Sequence, residues 1–386
     1  MIKIEKLIPG GFALGTAESG KKLFFWNALP GEIVTEYKIT KNKSSYAEAI
    51  ATSIKNSSPY RKEPRDDCYL STSPWQILDY QYELEQKALL VQEIFREHDI
   101  KIDTPAVITD GKDYEYRNKM EYSLYYDLEK AKIFPAFHAR GSHRKISITK
   151  SSLERPEIFK KAQEIVDNLN ARGEEARKYQ TLLLRCNQNG EVSGGLYENH
   201  QPHPVFKNLK DTILGQEYSY SPNGFFQINL PVYELALMEI QKHITIENVL
   251  DLYAGVGTIG LSVARDKNLT LVEVDKSAYK ELVSNANNAN NTRTILAKSE
   301  DVLEYIAPDQ AVILDPPRAG CDKKLIDKLL EISPEKIIYL SCNPATQARD
   351  TKFLLEKYQI KLAKTFNFFP HTPHIENLVI LERKNG

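Results

Sequence analysis

The sequence lacks any long apolar run. None of its stretches approaches the roughly 20 apolar residues that a helix needs to cross a bilayer. Its first residues, Met1-Ile-Lys-Ile-Glu5, also lack the basic-then-apolar pattern of a secretory signal. We therefore expect a cytoplasmic protein with no membrane partner. Because 41% of its 386 residues are hydrophobic, the chain has enough apolar material for two or three compact domains.

Cysteine is scarce and scattered. The four cysteines, Cys68, Cys186, Cys321 and Cys342, include no Cys-x-x-Cys pair, which argues against a disulfide framework and against a zinc site.

The net charge of the chain is close to zero, at -1, and an even spread of charge would argue against a nucleic-acid partner. The charges are clustered, however. Residues 1–62 hold ten Lys or Arg against five Glu, and Phe137-His-Ala-Arg-Gly-Ser-His-Arg-Lys145 mixes basic and aromatic side chains. Such runs are often no more than solvated faces.

Three regions differ in their patterns. Residues 1–60 read as short strands separated by turn signals, which predicts a small closed β-barrel. Residues 61–205 predict a mixed α+β domain, with a helix over 77–98, strands over 113–150, a helix over 154–172 and strands over 180–205. Residues 206–386 alternate short apolar runs with helical stretches, which predicts a doubly wound, Rossmann-like parallel sheet of the α/β class.

Polar residues follow four of the predicted strands in this last region. Asp251-Leu-Tyr-Ala-Gly-Val-Gly-Thr-Ile-Gly260 is a glycine-rich turn between a strand and a helix, where a ligand can approach the backbone. Glu273, at the end of the next strand, is placed to accept hydrogen bonds from ribose hydroxyls. Asp315 and Cys342 end two further strands. These features predict a nucleoside cofactor, without separating NAD from S-adenosylmethionine.

Four ordered motifs separate the two cofactors. They are Phe225-Phe-Gln-Ile-Asn229, Asp315-Pro-Pro-Arg-Ala-Gly320, Tyr339-Leu-Ser-Cys-Asn-Pro-Ala-Thr-Gln-Ala-Arg-Asp350 and Phe369-Pro-His-Thr-Pro-His-Ile-Glu376. With them the sequence resembles the RNA uracil-5 methyltransferases of the RumA and TrmA type. The resemblance extends over nearly the whole chain: residues 1–60 are similar to the RNA-binding TRAM barrel, and Tyr116-Arg-Asn-Lys119 matches a central-domain motif.

The resemblance implies an S-adenosylmethionine-dependent enzyme that methylates carbon 5 of a uracil in RNA. Cys342 would be the nucleophile that adds to C6, because C5 attacks a methyl group only after such activation. Glu376 would be the base that removes the C5 proton. The cofactor contacts implied are Gln227, Tyr253, Thr258, Glu273 and Asp315, with one more in the segment 297–300. Phe225 and Arg318 are candidates for holding the substrate, with a core aromatic and a helix-cap salt bridge as the plainer alternatives.

The chain departs from this family at one place. Many members hold an iron-sulfur cluster with four cysteines, three of them just before a Trp-Gln pair. Here that stretch is Cys68-Tyr-Leu-Ser-Thr-Ser-Pro-Trp-Gln76, which keeps a single cysteine, so we expect no cluster and no metal. Cys68, Cys186 and Cys321 are then structural. Because family members with a TRAM-like barrel mostly act on 23S ribosomal RNA, we favour that RNA over tRNA, and we expect a monomer.

Three other functions compete with this one. A cytosine-5 methyltransferase shares the C6 addition, but Asp315-Pro-Pro-Arg318 stands where the DNA enzymes have their Pro-Cys nucleophile, and Cys321 follows Ala-Gly rather than Pro. A noncatalytic RNA-binding or ribosome-assembly factor would have no need of both Cys342 and Glu376. An NAD-dependent oxidoreductase finds no obvious hydride chemistry at these strand ends.

Overall fold

The computed structural model describes residues 1–103, 106–173, 178–198, 201–203 and 206–384. It begins with a closed five-stranded barrel, as predicted, whose strands follow the order β1-β2-β3-β5-β4. Side chains alternate between the barrel interior and its surface, so that Leu23 and Phe25 of one strand are buried while Phe24 between them is partly exposed. The barrel strands are β1 (Ile2–Leu7), β2 (Ala13–Thr16), β3 (Lys22–Trp26), β4 (Ile33–Asn42) and β5 (Tyr46–Lys55).

A six-stranded sheet follows, in the order β11-β10-β9-β6-β7-β8, with one long helix packed on it. The strands are β6 (Lys119–Asp127), β7 (Lys132–His138), β8 (Lys145–Ser147), β9 (Thr181–Cys186), β10 (Val192–Glu198) and β11 (Gln201–His203). The helices of this region are α1 (Tyr69–Thr72), α2 (Tyr80–Glu97) and α3 (Pro156–Ala171). The predicted helices and strands are therefore present, although residues 199, 200, 204 and 205 of the predicted strand stretch over 180–205 lie outside the described part of the chain.

Helix α2 leaves this region and packs against the last one. Asp79 caps its N-terminus by accepting hydrogen bonds from the backbone N–H groups of Gln81 and Tyr82. The helix contacts α8 and β19 of the C-terminal region, and its apolar side chains join the core cluster of that region. Although this helix belongs to the region 61–205 in sequence, it packs on the C-terminal sheet.

The C-terminal region contains a seven-stranded sheet in the order β16-β15-β14-β17-β18-β20-β19. The first five strands pair in parallel, and β20 runs antiparallel to both of its neighbours. A two-stranded ribbon, β12-β13, precedes it. The strands are β12 (Leu209–Ile213), β13 (Gln216–Tyr220), β14 (Asn248–Asp251), β15 (Asn268–Glu273), β16 (Thr292–Leu296), β17 (Gln310–Leu314), β18 (Lys336–Ser341), β19 (Tyr358–Phe366) and β20 (Glu376–Arg383), and the helices are α4 (Leu230–Gln241), α5 (Thr258–Val263), α6 (Lys276–Ala286), α7 (Lys323–Ile332) and α8 (Pro344–Leu354).

This sheet confirms the predicted Rossmann-like class and also departs from a dinucleotide-binding sheet. The parallel order around β14 matches the doubly wound pattern, but the reversed strand β20 interrupts the all-parallel 3-2-1-4-5-6 order. Among the described residues, no helix combines the length and apolar character that crossing a membrane would require. The three-domain division at residues 60 and 205 stays a prediction, and of the last region residues 385 and 386 lie outside the described part.

Candidate active site

The glycine-rich turn after β14 is open at the backbone. Gly255 and Gly257 have φ of 57° and 93°, in the left-handed region that glycine adopts without strain. A Cβ on Gly255 would meet nothing within 4 Å, whereas one on Gly257 would lie 2.7 Å from side-chain carbons of Leu261 and Leu282. The first glycine thus leaves space for a ligand beside the backbone, and the second allows helix α5 to pack closely.

Two carboxylates shape this turn from within. Asp251 accepts hydrogen bonds from the backbone N–H groups of Gly260, at 3.0 Å, and Tyr253, at 3.4 Å. Glu273 accepts from Gly255, at 2.8 Å, and from Asp275, at 2.6 Å. Because each carboxylate oxygen has two lone-pair sites, Glu273 keeps acceptor capacity for a ribose hydroxyl while it holds the loop.

The other predicted cofactor residues lie around the same strand ends. Tyr253 is partly buried just after β14, and Thr258 is the first residue of α5, where its hydroxyl accepts a hydrogen bond from Tyr233 at 3.0 Å. Gln227 is 9% exposed, in the loop before α4. The segment 297–300 also lies here, since Ala297 donates its backbone N–H to the carbonyl of Glu273 at 3.0 Å. The order of the strands therefore places these predicted cofactor residues at one edge of the sheet, although they are far apart in the sequence.

Cys342 and Glu376 are neighbours because of strand register. In the antiparallel pair β18-β20, the ladder ends with Ser341 opposite Asn377, and Cys342 and Glu376 are the residues that adjoin this last pair. The Glu376 carboxyl group raises the pKa of the Cys342 thiol, so the two side chains lie close enough to interact. Glu376 is 4% exposed, and Cys342 is partly exposed, in contrast to the three buried cysteines.

Buried side chains fix the backbone around this pair. The amide of Gln347, from α8, donates to the carbonyls of Tyr339 at 2.8 Å and Asn377 at 2.9 Å, and so ties β18 to β20. Asn343 caps α8 and donates from Nδ2 to the carbonyl of Arg318 at 2.8 Å. The residue after the candidate nucleophile therefore holds the segment that carries Arg318.

Charges around Cys342 oppose one another. Burial, together with the carboxyl groups of Glu376 and Asp315, raises the pKa of the Cys342 thiol to about 11, while a hydrogen bond and the positive charge of Arg318 act in the opposite direction. Burial and the neighbouring Asp315 raise the pKa of Glu376 well above its ordinary value, and Arg318 again opposes the shift. Burial and Asp251 raise the pKa of Asp315 to about 7. Two carboxyl groups, a thiol and one guanidinium therefore share a desolvated site.

The sequence analysis did not identify the residues that hold the loop before Glu376. Lys87 of α2, fully buried, donates from Nζ to Oδ1 of Asn367 at 2.7 Å and to the carbonyl of Phe369 at 3.1 Å. The buried carboxylate of Glu83 forms an ion pair with Lys87 at 2.8 Å and accepts from the backbone N–H of His371. His371 has a φ of 60°, so the loop is held in a conformation that is uncommon for a side chain with a Cβ. A single buried ion pair on α2 thus fixes the loop.

Phe225 is exposed, which its motif alone did not show. Its side chain is 74% exposed, while the carbonyls on both sides of it are anchored. Lys119 donates to the carbonyl of Gly224 at 3.2 Å, and the buried Arg185 donates to that of Phe226 at 3.0 Å. Phe226 itself stacks on Tyr220, with ring centroids 3.8 Å apart. An aromatic ring that the backbone holds in solvent favours a substrate contact over the core role that was the alternative.

The residues around Cys68 do not fit an iron-sulfur cluster. Cys68 packs in an apolar cluster with Met120 and Tyr122, and burial raises the pKa of its thiol to about 11. No group of three or more His, Cys, Asp or Glu among the residues the structure describes is arranged to hold a metal ion. Cys186 and Cys321 are buried as well, which agrees with the structural role expected of them.

The fold and the site together define a class of protein. A Rossmann-like sheet with a reversed strand, a glycine-rich loop and an acid after the second strand is an arrangement that fits a methyltransferase domain. The cysteine after β18 is its candidate nucleophile.

Comparisons with known proteins show what the chain is similar to. Residues 208–384 match the family described as tRNA (uracil-5-)-methyltransferase. An uncharacterized RNA methyltransferase of Fusobacterium nucleatum is 28% identical over 455 aligned positions, covering 99% of this chain and 95% of that protein. One from Staphylococcus aureus is 29% identical and covers 94% of this chain and 93% of its own. The crystal structure of a Pyrococcus abyssi tRNA (uracil-54, C5)-methyltransferase in complex with S-adenosyl-L-homocysteine aligns with a TM-score of 0.77, at 24% identity, over 99% of this chain and 100% of its own, so the two share a fold.

The family match and the curated relatives confirm the predicted resemblance to the RNA uracil-5 methyltransferases and the predicted class of enzyme, an RNA methyltransferase. They also confirm the predicted fold class. The match to a uracil-5 family weighs against the NAD-dependent oxidoreductase and the cytosine-5 methyltransferase that the sequence analysis considered.

Proposed function

We propose that this chain methylates carbon 5 of a uracil in RNA through a covalent adduct between Cys342 and C6. The observation that supports this proposal best is the pairing of β18 with β20, which brings a partly exposed thiol next to a buried carboxyl group at the end of the ladder. One of these groups has the chemistry of a nucleophile and the other that of a base.

The reaction needs each group in a defined protonation state. The thiolate of Cys342 attacks C6, and the C5–C6 π electrons move to C5 and O4. S-adenosylmethionine, when held by the residues at the strand ends, would supply the methyl group that the activated C5 takes up, and its sulfur would leave as a neutral thioether. The Glu376 carboxylate then removes the C5 proton, the double bond re-forms, and the Cys342 thiolate leaves. Because Arg318 acts against the raised pKa of both Cys342 and Glu376, we assign it the role of favouring their charged forms.

The cofactor would lie along the strand ends. Its ribose would be held by Glu273, its adenosine part would lie near Tyr253 and Thr258, and Asp315 and Gln227 would face its reactive end. The open space beside Gly255 and the free acceptor sites of Glu273 support this assignment. Asp315, coupled electrostatically to Glu376, would stand between the cofactor and the uracil. Phe225 would stack on a base of the RNA.

For the RNA we propose 23S ribosomal RNA, because the family members that carry a TRAM-like barrel mostly act on it and this chain begins with a closed barrel. Transfer RNA is the second candidate, for a specific reason. The Pyrococcus abyssi tRNA methyltransferase matches this chain from end to end, so a similar overall fold also serves a tRNA substrate. We further propose that the enzyme is cytoplasmic and acts as a monomer.

Labelled cofactor tests the proposal directly. The purified protein would be incubated with radiolabelled S-adenosylmethionine and, separately, with unmodified 23S rRNA and tRNA transcripts, and the labelled nucleoside would be identified after digestion. We expect label in 5-methyluridine from rRNA and its loss in Cys342→Ala. Label only in tRNA would replace the proposed substrate and keep the chemistry. Label in cytidine would contradict the reaction, and no label with intact RNA binding would favour a noncatalytic binding factor.

A further inference from the structure

A cavity of about 370 Å³ lies where the central region meets the C-terminal region, and helices α3 and α4 begin in its wall. Its buried lining, here called the floor, includes Asn118 and Asn229, which are 4% and 1% exposed. Its exposed lining, here called the rim, includes Asp110 and Glu115. The described residues that line it include neither Cys342 nor a predicted cofactor contact, so the cavity is distinct from the candidate active site.

The side chain of Asn118 has one polar atom without a hydrogen-bond partner among the described residues, its oxygen Oδ1. Nδ2 donates to the carbonyl of Gln227 at 3.0 Å, the backbone N–H donates to the carbonyl of Ile228 at 3.1 Å, and the backbone carbonyl accepts from Cys186 at 2.9 Å. Because a carbonyl needs a donor opposite it, the nitrogen of the amide must face Gln227. Oδ1 is therefore the polar atom of Asn118 that remains for an occupant of the cavity.

Two further oxygens in the lining are buried and have no partner in the described part of the chain. Asn229 donates from Nδ2 to the carbonyl of Phe368 at 3.2 Å, which leaves its Oδ1 unused. Glu157 accepts from Arg155 at 2.9 Å through Oε1, which leaves its Oε2 unused. This hydrogen bond also lowers the pKa of Glu157, so the carboxyl group is charged at pH 7. Because a buried acceptor without a partner is costly, three of them on one cavity indicate an occupant that donates hydrogen bonds.

The charged groups of the lining favour a cation. The carboxyl groups of Asp110 and Glu115 lie on the rim, and that of Glu157 lies deeper. Of the two basic residues, Lys112 lies 4.0 Å from Glu115. Arg155 is committed to Glu157 and to a backbone carbonyl at 2.7 Å. Carboxyl groups thus outnumber basic groups, and the guanidinium has little left to offer an anion.

The helix ends in the wall also have few donors for an anion. A helix N-terminus ordinarily attracts negative charge through its unpaired N–H groups. Here Pro156 is the first residue of α3 and Pro231 the second of α4, and proline has no N–H. The N–H groups of Ile158 and Tyr233 are donated within their own helix ends. The wall therefore does not reverse the preference for a cation.

We propose that this cavity binds an alkyl polyamine, with one primary ammonium group on the floor and a second on the rim. A primary ammonium group has three N–H donors and no acceptor, which matches the three unused oxygens of Asn118, Asn229 and Glu157. The second ammonium group would meet Asp110 and Glu115, and the alkyl chain between the two would lie against the apolar part of the lining. The inference does not depend on the proposed function.

Calorimetric titration of the full chain with 1,4-diaminobutane tests the proposal. RNA is left out, because its phosphates attract polyamines themselves. We expect saturable binding of one diamine per chain and a Tm that rises with its concentration. The fully N-methylated analogue keeps both charges and has no N–H group, and it should bind about tenfold more weakly or worse, since hydrogen bonds to charged groups are strong. This comparison uses the unchanged protein, so it decides the proposal even if a variant is unstable.

Two sets of variants locate the site. Glu157→Gln should raise Kd about tenfold, because the charged acceptor beside the floor is lost. Glu164→Gln is the matched control on the same helix, where Glu164 pairs with Lys161 at 3.0 Å in solvent, and it should bind like the unchanged protein. Asp110→Asn combined with Glu115→Gln should weaken binding of 1,4-diaminobutane but not that of butylamine, which has a single ammonium group.

Four results would overturn the proposal. They are equal affinity for the methylated analogue, an unchanged Kd in Glu157→Gln, tighter binding of inorganic phosphate than of the diamine, and no saturable binding at all. The last result would mean that water alone satisfies the three oxygens. None of these measurements involves methyl transfer, so their failure leaves the proposed function untouched, and a protein that forms no 5-methyluridine can still confirm the polyamine site.

Discussion

Arg318 donates a hydrogen bond from Nη2 to Nδ1 of His374 across 3.1 Å. Because a guanidinium has no acceptor, Nδ1 must be the accepting nitrogen, and the proton of the neutral imidazole is on Nε2. Although His374 reaches the surface, desolvation and the Arg318 charge lower its pKa to about 4, so the ring is neutral at pH 7. The same guanidinium also acts on Cys342, because it lowers the pKa of the thiol against the effect of burial. Arg318 therefore links the candidate nucleophile to the loop that precedes the candidate base.

Replacing Arg318 should make the Cys342 thiol harder to ionise. In Arg318→Gln the pKa of Cys342 should rise, because the one group that favours the thiolate loses its charge. The single-turnover rate at pH 7 should then fall about tenfold for each unit by which this pKa rises. Alkylation of the thiol as a function of pH measures the pKa directly, since Cys342 is the one cysteine that is partly exposed. Arg293→Gln, remote from the site, serves as the control. An unchanged alkylation profile would mean that Arg318 does not act on the thiol.

The raised pKa of Cys342 sets the pH dependence of the reaction. Because the thiol has a pKa of about 11, the thiolate is a small fraction at pH 7 and grows about tenfold with each unit of pH below 11. We expect the single-turnover rate to rise with pH between 7 and 9 as long as thiol ionisation limits it. A rapid-quench series at saturating RNA and cofactor measures this. A rate that is flat over the range would show that bound substrate lowers the pKa or that another step is limiting.

Removing the base should stop the reaction after methyl transfer. In Glu376→Gln the thiolate can still add and C5 can still take the methyl group, but the C5 proton has no acceptor, so turnover should fall by about 10² to 10⁴. The methylated RNA should remain covalently attached to Cys342 and appear as a shifted band on a denaturing gel. The double variant with Cys342→Ala should lose the band. Free 5-methyluridine formed by Glu376→Gln at an undiminished rate would assign the base to another residue.

The buried ion pair on α2 should carry a large stability cost when one partner is removed. Lys87→Met leaves the Glu83 carboxylate buried without its counter-charge, and we expect a loss of about 3–5 kcal/mol in the free energy of unfolding. Adding Glu83→Gln should recover part of that loss. Lys323→Met is the matched control, because Lys323 also forms an i,i+4 ion pair, with Asp327, but this pair is exposed to solvent. Its loss should lower the free energy of unfolding by less than about 1 kcal/mol. Urea unfolding of the unchanged protein, Lys87→Met, Lys87→Met with Glu83→Gln, and Lys323→Met measures these free energies. Equal losses of stability from Lys87→Met and Lys323→Met would contradict the prediction.

Because Phe225 is exposed, its replacement should affect RNA binding selectively. Phe225→Leu should weaken binding of RNA several-fold, because one stacked base is lost, while cofactor binding measured by calorimetry should not change. Replacement of its neighbour by Phe226→Leu should instead reduce stability, since that ring is buried against Tyr220. If Phe225→Leu bound RNA normally and lost stability, the ring would have a packing role only.

Local patterns predicted the strand ends well, because each parallel strand is a short apolar run that stops at a polar residue. Asp251, Glu273, Asp315 and Cys342 all lie at or just beyond strand ends, where the glycine loop and the motifs indicated. Strand β14 ends at Asp251, because that carboxylate accepts N–H groups of the following turn.

Contacts between distant segments were not predictable from local patterns. Glu83 and Lys87 lie on a helix whose charged residues look solvent-exposed in sequence, yet both are buried against a loop some 280 positions away. The basic stretch 137–145 gave no sign that its tip would lie on the barrel, because the pairing of Arg140 with Trp26 depends on how two separate units pack. Such contacts arise from tertiary packing, for which a single sequence carries no periodic signal.

The pairing of β18 with β20 has a consequence for how the enzyme can change its substrate. The ends of two paired strands carry the thiol and the carboxyl group, whereas the segments 315–320, 221–229 and 367–375, which carry other residues of the candidate site, are loops. Insertions or exchanges in those loops can therefore change the entrance to the site without moving the strand ends at which Cys342 and Glu376 lie. The candidate pair thus belongs to the constant part of the fold, and the shape of the entrance can diverge around it.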